Sequence, residues 1–462
     1  MKIKKNDLIE LEISALNNLG FGVARLDGFV VFVDGAVTGE LVLARIIKMT
    51  ASYAVARTEK IITPSEHRTS ERCQSRGCKS CAYRAITYSE EKRQKRENVI
   101  ADFKKAGLSS IEVLPVLSAD ITKGYRNKAQ YPIALGKDGE YIIGFFAPKS
   151  HRVTEAADCP LAPRVFSEII ELLRAFFSRH GISVYDEEPG EGLLRHIYLR
   201  RGEVSGEILL TLVINGSVLP HSDELIEKIR TAFPAVVGIL LNENTEKTNV
   251  ILGKKFITLW GRDYIYDTLA DVRLKITAPS FYQVNHSGAE LLYALARELA
   301  SPRSGDTVLD LYCGAGSIGL SMANDAGYIV GVEIIESAVE CARENAEANG
   351  IENAAFFVGD AADTEGLLKN ARMPNGDAVS PDIVILDPPR GGCDGQLIKY
   401  VASLSPERIV YISCNPATQA RDCALFATLG YTADKVVPVD MFPGTGHVES
   451  VVCLTQIGRA HV

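Results

Sequence analysis

The chain has 462 residues, 46% of them hydrophobic and 23% charged, and a formal net charge of −8. That length exceeds one ordinary core and predicts two to four domains, while no apolar run approaches the roughly 18 residues of a membrane span, so no membrane partner is expected. The ten cysteines do not suggest a disulfide scaffold, which belongs to small secreted chains.

The first residues, MKIKKNDLIELEI, carry lysines but no apolar core, so a secretory signal is not expected and a cytoplasmic location is. The acidic total conceals a split. Residues 61–160 hold 17 Lys+Arg against 12 Asp+Glu, and residues 271–462 hold 13 against 24. A basic middle beside an acidic C-terminal region keeps a nucleic-acid partner open, because phosphate responds to the local field.

Residues 1–60 alternate in short runs (LIELEISAL, GFVVFVDG, ELVLARII) broken by glycine turns, which predicts a small β-barrel. Residues 64–88 hold Cys73, Cys78 and Cys81 with little regular pattern. From Ser89 to about Ala106 a helix is expected, with Ser89 as N-cap, early glutamates, and a Lys/Arg face (Arg93, Lys95, Arg96) that either is solvated or meets a phosphate backbone. Residues 110–270 mix strands (YIIGFFA, EILLTLVING, VVGILLNEN, KFITLWG) with one amphipathic helix, RVFSEIIELLRAFFSRHG, and read as α+β. From about residue 280 strand, glycine loop and helix repeat, the rhythm of a doubly wound parallel α/β sheet. The final QIGRAHV (456–462) fits no element and is set aside as a non-native tail.

In TVLDLYCGAGSIGLSMA (307–323) an apolar strand ends in Asp310 and opens a turn with Gly314, Gly316 and Gly319 before a helix. Glycines permit close backbone approach to a ligand. A second strand, YIVGVEII, ends at Glu333, where a carboxylate can accept from two ribose hydroxyls; a third ends near Asp360, and a fourth, DIVILDPPRGG, at Asp387. Dinucleotide binding uses a similar fingerprint. Here an acidic residue precedes the glycines, which suits a cation, and S-adenosylmethionine is the better candidate.

The next strand, RIVYISCNP, brings Cys414 to the same edge. Methyl transfer to oxygen or nitrogen needs no thiol. Transfer to C5 of a pyrimidine does, because thiolate addition to C6 makes C5 nucleophilic. A base must then remove the C5 proton. FPGTGHVESVV (442–452) offers Glu449 for that, with His447 as the other candidate.

With DPPR, SCNP and HVE in this order, the chain resembles the S-adenosylmethionine-dependent RNA uracil-5-methyltransferases over nearly its whole length. The resemblance implies a TRAM/OB-like RNA-binding barrel over 1–60 and a central RNA-binding domain with an iron–sulfur cluster over 61–270. It implies a Rossmann-like methyltransferase domain over 271–455. It makes Cys414 the nucleophile, Glu449 the base and Asp387 a catalytic aspartate. It puts Gln283 (of PSFYQVN), Tyr312, Gly314, Ser317, Glu333, Asp360 and Asp387 at the cofactor. Cys73, Cys78, Cys81 and Cys159 supply four thiolates, enough for a cluster or a zinc, and the resemblance favours [4Fe-4S]. The first cysteine spacing is one residue shorter than in many members, and CKSC stands where they carry a Gly-Gly pair. It further implies a monomer acting on RNA, on 23S ribosomal RNA before transfer RNA, since barrel and cluster accompany ribosomal enzymes more often. Three rivals are weaker. An amino N-methyltransferase would carry an aromatic after Asp-Pro-Pro, a cytosine C5 enzyme a Pro-Cys context, and a non-catalytic RNA-binding iron–sulfur module would transfer no methyl group.

Overall fold

The structure is a computed structural model that describes residues 3–458 apart from 71, 72, 74, 76, 364, 365, 367 and 369–377. All counts below are of the described residues.

The N-terminal strands are β1 (Leu8–Glu12), β2 (Ala15–Leu16), β3 (Gly22–Leu26), β4 (Phe29–Asp34), β5 (Leu41–Met49) and β6 (Tyr53–Thr63). They form a six-stranded sheet in the order β1-β5-β6-β4-β3-β2. Alternation drives it: in β1 the buried residues are Ile9 and Leu11, and Val31, Val33, Val42 and Ala44 share their core. The β3–β4 hairpin closes through Asp27 (φ 48) and Gly28 (φ 82) between the paired Leu26 and Phe29. Two positive φ angles match the twist of the flanking strands, which is why Asp-Gly stands there. β6 continues past the expected end at residue 60.

Helix α1 spans Tyr88–Lys105. Ser89 is not its N-cap: the Glu91 amide donates to the Thr87 carbonyl at 3.0 Å, so the helix starts at Tyr88 and Thr87 caps it. The early glutamates are not solvated either. Glu90 and Glu91 are 2% and 0% exposed: Glu90 accepts from Arg93 and Gln94, and Glu91 from Lys95 and the Gly444 amide of the C-terminal region.

The central sheet has the order β10-β9-β8-β11-β12-β13-β14. Its strands are β8 (Lys128–Leu135), β9 (Tyr141–Phe146), β10 (Val153–Glu155), β11 (Leu194–Arg201), β12 (Ile208–Ile214), β13 (Val236–Glu243) and β14 (Lys255–Gly261). Helices α2 (Arg164–His180) and α3 (Ser222–Ala232) cover one face. In α2, Phe166, Ile169, Ile170, Leu173, Phe176 and Phe177 recur at three- and four-residue intervals and are all buried, and Gly181 ends the helix at φ 57.

A hairpin of β15 (Tyr264–Leu269) and β16 (Val272–Thr277) leads to α4 (His286–Ala300). The C-terminal α/β unit contains β17 (Thr307–Leu311), α5 (Ser317–Ser321), β18 (Tyr328–Glu333), α6 (Glu336–Ala348), β19 (Ala354–Val358) and β20 (Ile383–Leu386). After these come α7 (Gly395–Ser403), β21 (Arg408–Ser413), α8 (Pro416–Thr428), β22 (Tyr431–Thr432), β23 (Lys435–Val439) and β24 (Glu449–Gln456). The sheet runs β19-β18-β17-β20-β21-β24-β23 and ends on β7 (Glu112–Val113), with β22 beside β24. The β17–β21 core is parallel, and β24 enters antiparallel. Strands such as β20, IVIL, are buried on both faces and hence apolar throughout.

The expected division between 61–270 and 271–455 is crossed in both directions. Val99 and Phe103 of α1 and Val113 of β7 belong to one C-terminal core, and Tyr198, Leu209 and Leu240 of the central sheet to the other. The tail also begins later than expected. Gln456 pairs with Tyr431, and the Ile457 amide donates to Gly430 at 2.8 Å; residues 459–462 lie outside the described residues.

Candidate active site

The chain order of the parallel strands reverses between β17 and β20, and in open α/β sheets a ligand crevice forms at such a point. After buried β17, Tyr312 (φ 66), Gly314 (φ 53) and Gly316 (φ 79) turn through the left-handed region. Two glycines adopt it freely. A Cβ at Gly319 would stand 2.9 Å from Ile329 and 3.0 Å from the Asp310 carboxylate, so the third glycine lets α5 lie against the sheet.

Carboxylates ring this turn. Glu333 Oε2 accepts the Gly314 amide at 3.1 Å and Oε1 the Ile335 amide at 3.0 Å, and each oxygen keeps a further lone-pair direction. Asp310 Oδ2 accepts the Gly319 amide at 3.0 Å, while its buried Oδ1 has no partner. Burial, with the charges of Asp387 and Glu333, pushes Asp310 up to about 7, and burial does the same for Asp387. Such a ring favours a cationic ligand, which would stabilise the ionised forms. Gln283, Tyr312, Gly314, Ser317 and Asp387 line one cavity together with Phe281. Asp360 is exposed and not part of that wall; burial chiefly raises Tyr312, and the charges of Cys393 and Asp360 add to it.

The nucleophile and base candidates meet through strand register. Ser413 of β21 faces Ser450 of β24, so Cys414 and Glu449, each one step further, stand at facing strand ends. Gln419 braces this pair from below, donating to Tyr411 O at 2.8 Å and Ser450 O at 2.9 Å and accepting the Ser450 hydroxyl at 2.6 Å. Pro416 is helical residue N1 of α8, where its missing amide is not needed. The half-buried Cys414 thiol is pushed up by burial and by Glu449 and Asp387, and pulled down by the Arg390 guanidinium. Glu449 is pushed up to about 8 by burial and Asp387, again against Arg390. His447 is exposed at its surface, and partial desolvation of its ring, with the charges of Arg390, Lys95 and Arg126, pulls it down.

Three contributors were missed from sequence. Arg390 stands in DPPR, yet that motif alone says nothing of its reach to Cys414; the Asn415 side chain holds the Arg390 carbonyl at 2.9 Å and joins the two loops. Tyr293 shares a 2.8 Å hydrogen bond with Ser317, and Phe281, 69% exposed, projects at the cavity mouth. Phe281 precedes Gln283 by two residues, a signal available in PSFYQVN.

Helix α1 requires a correction. Lys95 is fully buried, donating to Glu91 at 2.9 Å, to Asp440 at 2.7 Å and to the Phe442 carbonyl at 3.2 Å. Arg93 is clamped by Glu90 at 2.7 Å and Arg96 by the Val113 carbonyl at 2.7 Å. Lys95 is thus sealed into the fold and anchors the segment that leads to Glu449, Arg96 is tied to a backbone carbonyl, and Arg93 stays exposed beside Glu90.

Cys73, Cys78, Cys81 and Cys159 are all half-buried free thiols. Burial and the neighbouring Cys159, Cys78 and Cys73 push Cys81 up to about 12, so the four lie within mutual electrostatic reach. Among the described residues no three His, Cys, Asp or Glu side chains are drawn in tightly enough to hold a metal ion.

Residues 87–457 match the model of the tRNA (uracil-5-)-methyltransferase family. The chain belongs to that family. Residues 4–58 match the TRAM domain. An uncharacterized RNA methyltransferase of Clostridium tetani is 39% identical over 99% of this chain and 98% of its own, and one of Halalkalibacterium halodurans 38% identical over 98% of each. The crystal structure of Pyrococcus abyssi tRNA (uracil-54, C5)-methyltransferase with S-adenosyl-L-homocysteine superposes with TM-score 0.77 at 28% identity, covering 97% of this chain and 100% of that one. The chain is an S-adenosylmethionine-dependent RNA (uracil-C5)-methyltransferase. No helix is long and apolar enough to cross a membrane among the described residues.

Proposed function

We propose that this enzyme methylates C5 of a uridine in 23S ribosomal RNA through a covalent bond between Cys414 and C6, working as a cytoplasmic monomer. The observation that carries the mechanism is the facing of Cys414 and Glu449 across the β21–β24 ladder, with Arg390 beside both. The Cys414 thiolate adds to C6, and the electron pair displaced onto the ring makes C5 the nucleophile. S-adenosylmethionine supplies the methyl group on its sulfonium. Ionised Glu449 then takes the C5 proton, the Cys414–C6 bond breaks, and the thiolate is released. Asp387, at the cavity wall between cofactor turn and Glu449, orients the pyrimidine; Gln283, Tyr312, Gly314, Ser317, Glu333 and Asp360 hold the cofactor.

Cys73, Cys78, Cys81 and Cys159 are the residues that would hold a [4Fe-4S] cluster. Their donor chemistry fits one, and binding it would draw the four thiols closer than they stand here. Bound there, it would tie the segment after β6 to the loop after β10. A transfer RNA uridine is the second reading, favoured by the likeness to the Pyrococcus abyssi enzyme. Comparing 5-methyluridine site by site in 23S and transfer RNA from a deletion strain decides between them. Loss confined to transfer RNA would refute the ribosomal target.

A further inference from the structure

With Lys95 sealed into the fold and Arg93 and Arg96 engaged by protein acceptors, charge for an RNA backbone near the cavity is sought on the neighbouring β8. Among the described residues, one cation near the site has no counter-charge. Lys128 of β8 faces Arg200 of β11 across an antiparallel ladder. Arg126, just ahead of the strand in an isolated bridge to Asn285, is close enough for its charge to act on Lys128.

The surroundings of the three cations differ. Arg200 is 3% exposed and committed to neutral acceptors, the Tyr198 hydroxyl at 2.9 Å and the Ser280 carbonyl. Arg126 has a buried Nε with no partner, and its charge is felt by Cys81 and Cys159. Lys128 is half-buried, and burial, Arg200 and Arg126 together pull it down to about 8; no carboxylate offsets them. The neighbouring Arg201, by contrast, has Glu203 at 3.2 Å. A cation left beside two others without an acid is a site that an anion would stabilise.

Its place fits an RNA backbone. Asn127, between Arg126 and Lys128, donates to the Gln283 carbonyl at 2.8 Å and through its amide to Val284 at 2.9 Å. The cations therefore flank the strip whose Phe281 and Gln283 line the cofactor cavity.

We propose that Lys128, supported by Arg126 and Arg200, binds a backbone phosphate of the RNA next to the target uridine. This rests on the RNA-methylating reading and names the part of the substrate held there. A phosphate would accept from the Lys128 ammonium and supply the negative charge that none of the described side chains provides.

The test is the salt dependence of binding of a fluorescein-labelled oligouridylate, followed by anisotropy without cofactor. Turnover does not enter, so failure of the covalent mechanism would leave this result readable. Each single-strand phosphate contact contributes about 0.7 to the log–log slope. Lys128→Gln should lower the slope by about that amount, Lys128→Arg should restore it, and Lys137→Gln, in an exposed hairpin turn, should match the parent. A parent-like slope for Lys128→Gln would overturn the proposal, as would a slope for Lys128→Arg as low as that of Lys128→Gln. Competition by inorganic phosphate beyond that of chloride at matched ionic strength would assign the site to a free anion and overturn the RNA reading.

Discussion

The edge of the C-terminal sheet and helix α1 both carry dense charge in the sequence, and the fold treats them oppositely. At the sheet edge Asp310, Asp387 and Glu449 are crowded together and raised, next to an open cavity. On α1, Glu91 and Lys95 are closed off with Asp440 into a buried network. Crowded like charges beside a cavity leave an unmet interaction for a ligand, whereas paired opposite charges already have theirs. A charge run thus says little until its partners are known.

Metal content gives the largest effect. With the cysteine group as a cluster site, anaerobically purified protein should contain iron and sulfide at about four each per chain. Cys81→Ser should lose both, while Cys414→Ala keeps them. Zinc without sulfide would overturn this.

The α1 side is tested by stability. Lys95→Met strands two buried carboxylates and should destabilise by about 3–5 kcal/mol. Lys92→Gln on the same helix breaks a solvent-facing pair with Asp120 at 2.9 Å and should change stability by about 1 kcal/mol or less. Urea unfolding of both variants measures the difference, and equal losses would contradict the assignment of α1 as a buried anchor.

The smallest effect concerns pH. A carboxyl raised to about 8, as for Glu449, against about 4 in the unfolded chain, keeps its proton longer when folded. The folded state then binds more protons than the unfolded one between those values, so this group's contribution to stability is present below about pH 4 and is lost as pH rises through about 8. Glu449→Gln removes that loss. Its melting temperature relative to the parent should rise by a few degrees between about pH 5 and 8. A difference flat with pH would mean that Glu449 is not held up in the folded protein.

How much was legible in the sequence follows from the same contrast. Strand ends in a parallel sheet fall at one edge whatever the intervening lengths, so Asp310, Glu333, Asp387 and Cys414 could be gathered from their places after apolar runs. Glu449 needed the additional fact that β24 pairs antiparallel with β21, and the resemblance supplied the expectation. The partners of Lys95 could not be read, because Asp440 lies 345 residues away and nothing local distinguishes a buried lysine from a solvated one. Arg390 was visible but mute, since its role depends on Asn415 holding its loop against Cys414. Ser89 places the cap two residues past the actual one, Thr87, because it is the better capping residue while the backbone bond from Glu91 to Thr87 starts the helix.

The central claim is that Cys414 and Glu449 work as nucleophile and base on one uracil. Glu449→Gln should still allow addition and methyl transfer but leave the C5 proton in place, so elimination stalls with RNA joined to the thiol. Incubated with S-adenosylmethionine and ribosomal RNA, that variant should give a band of protein-linked RNA on a denaturing gel, and the double variant with Cys414→Ala should give none. A band that persists in the double variant would show that Cys414 is not the nucleophile.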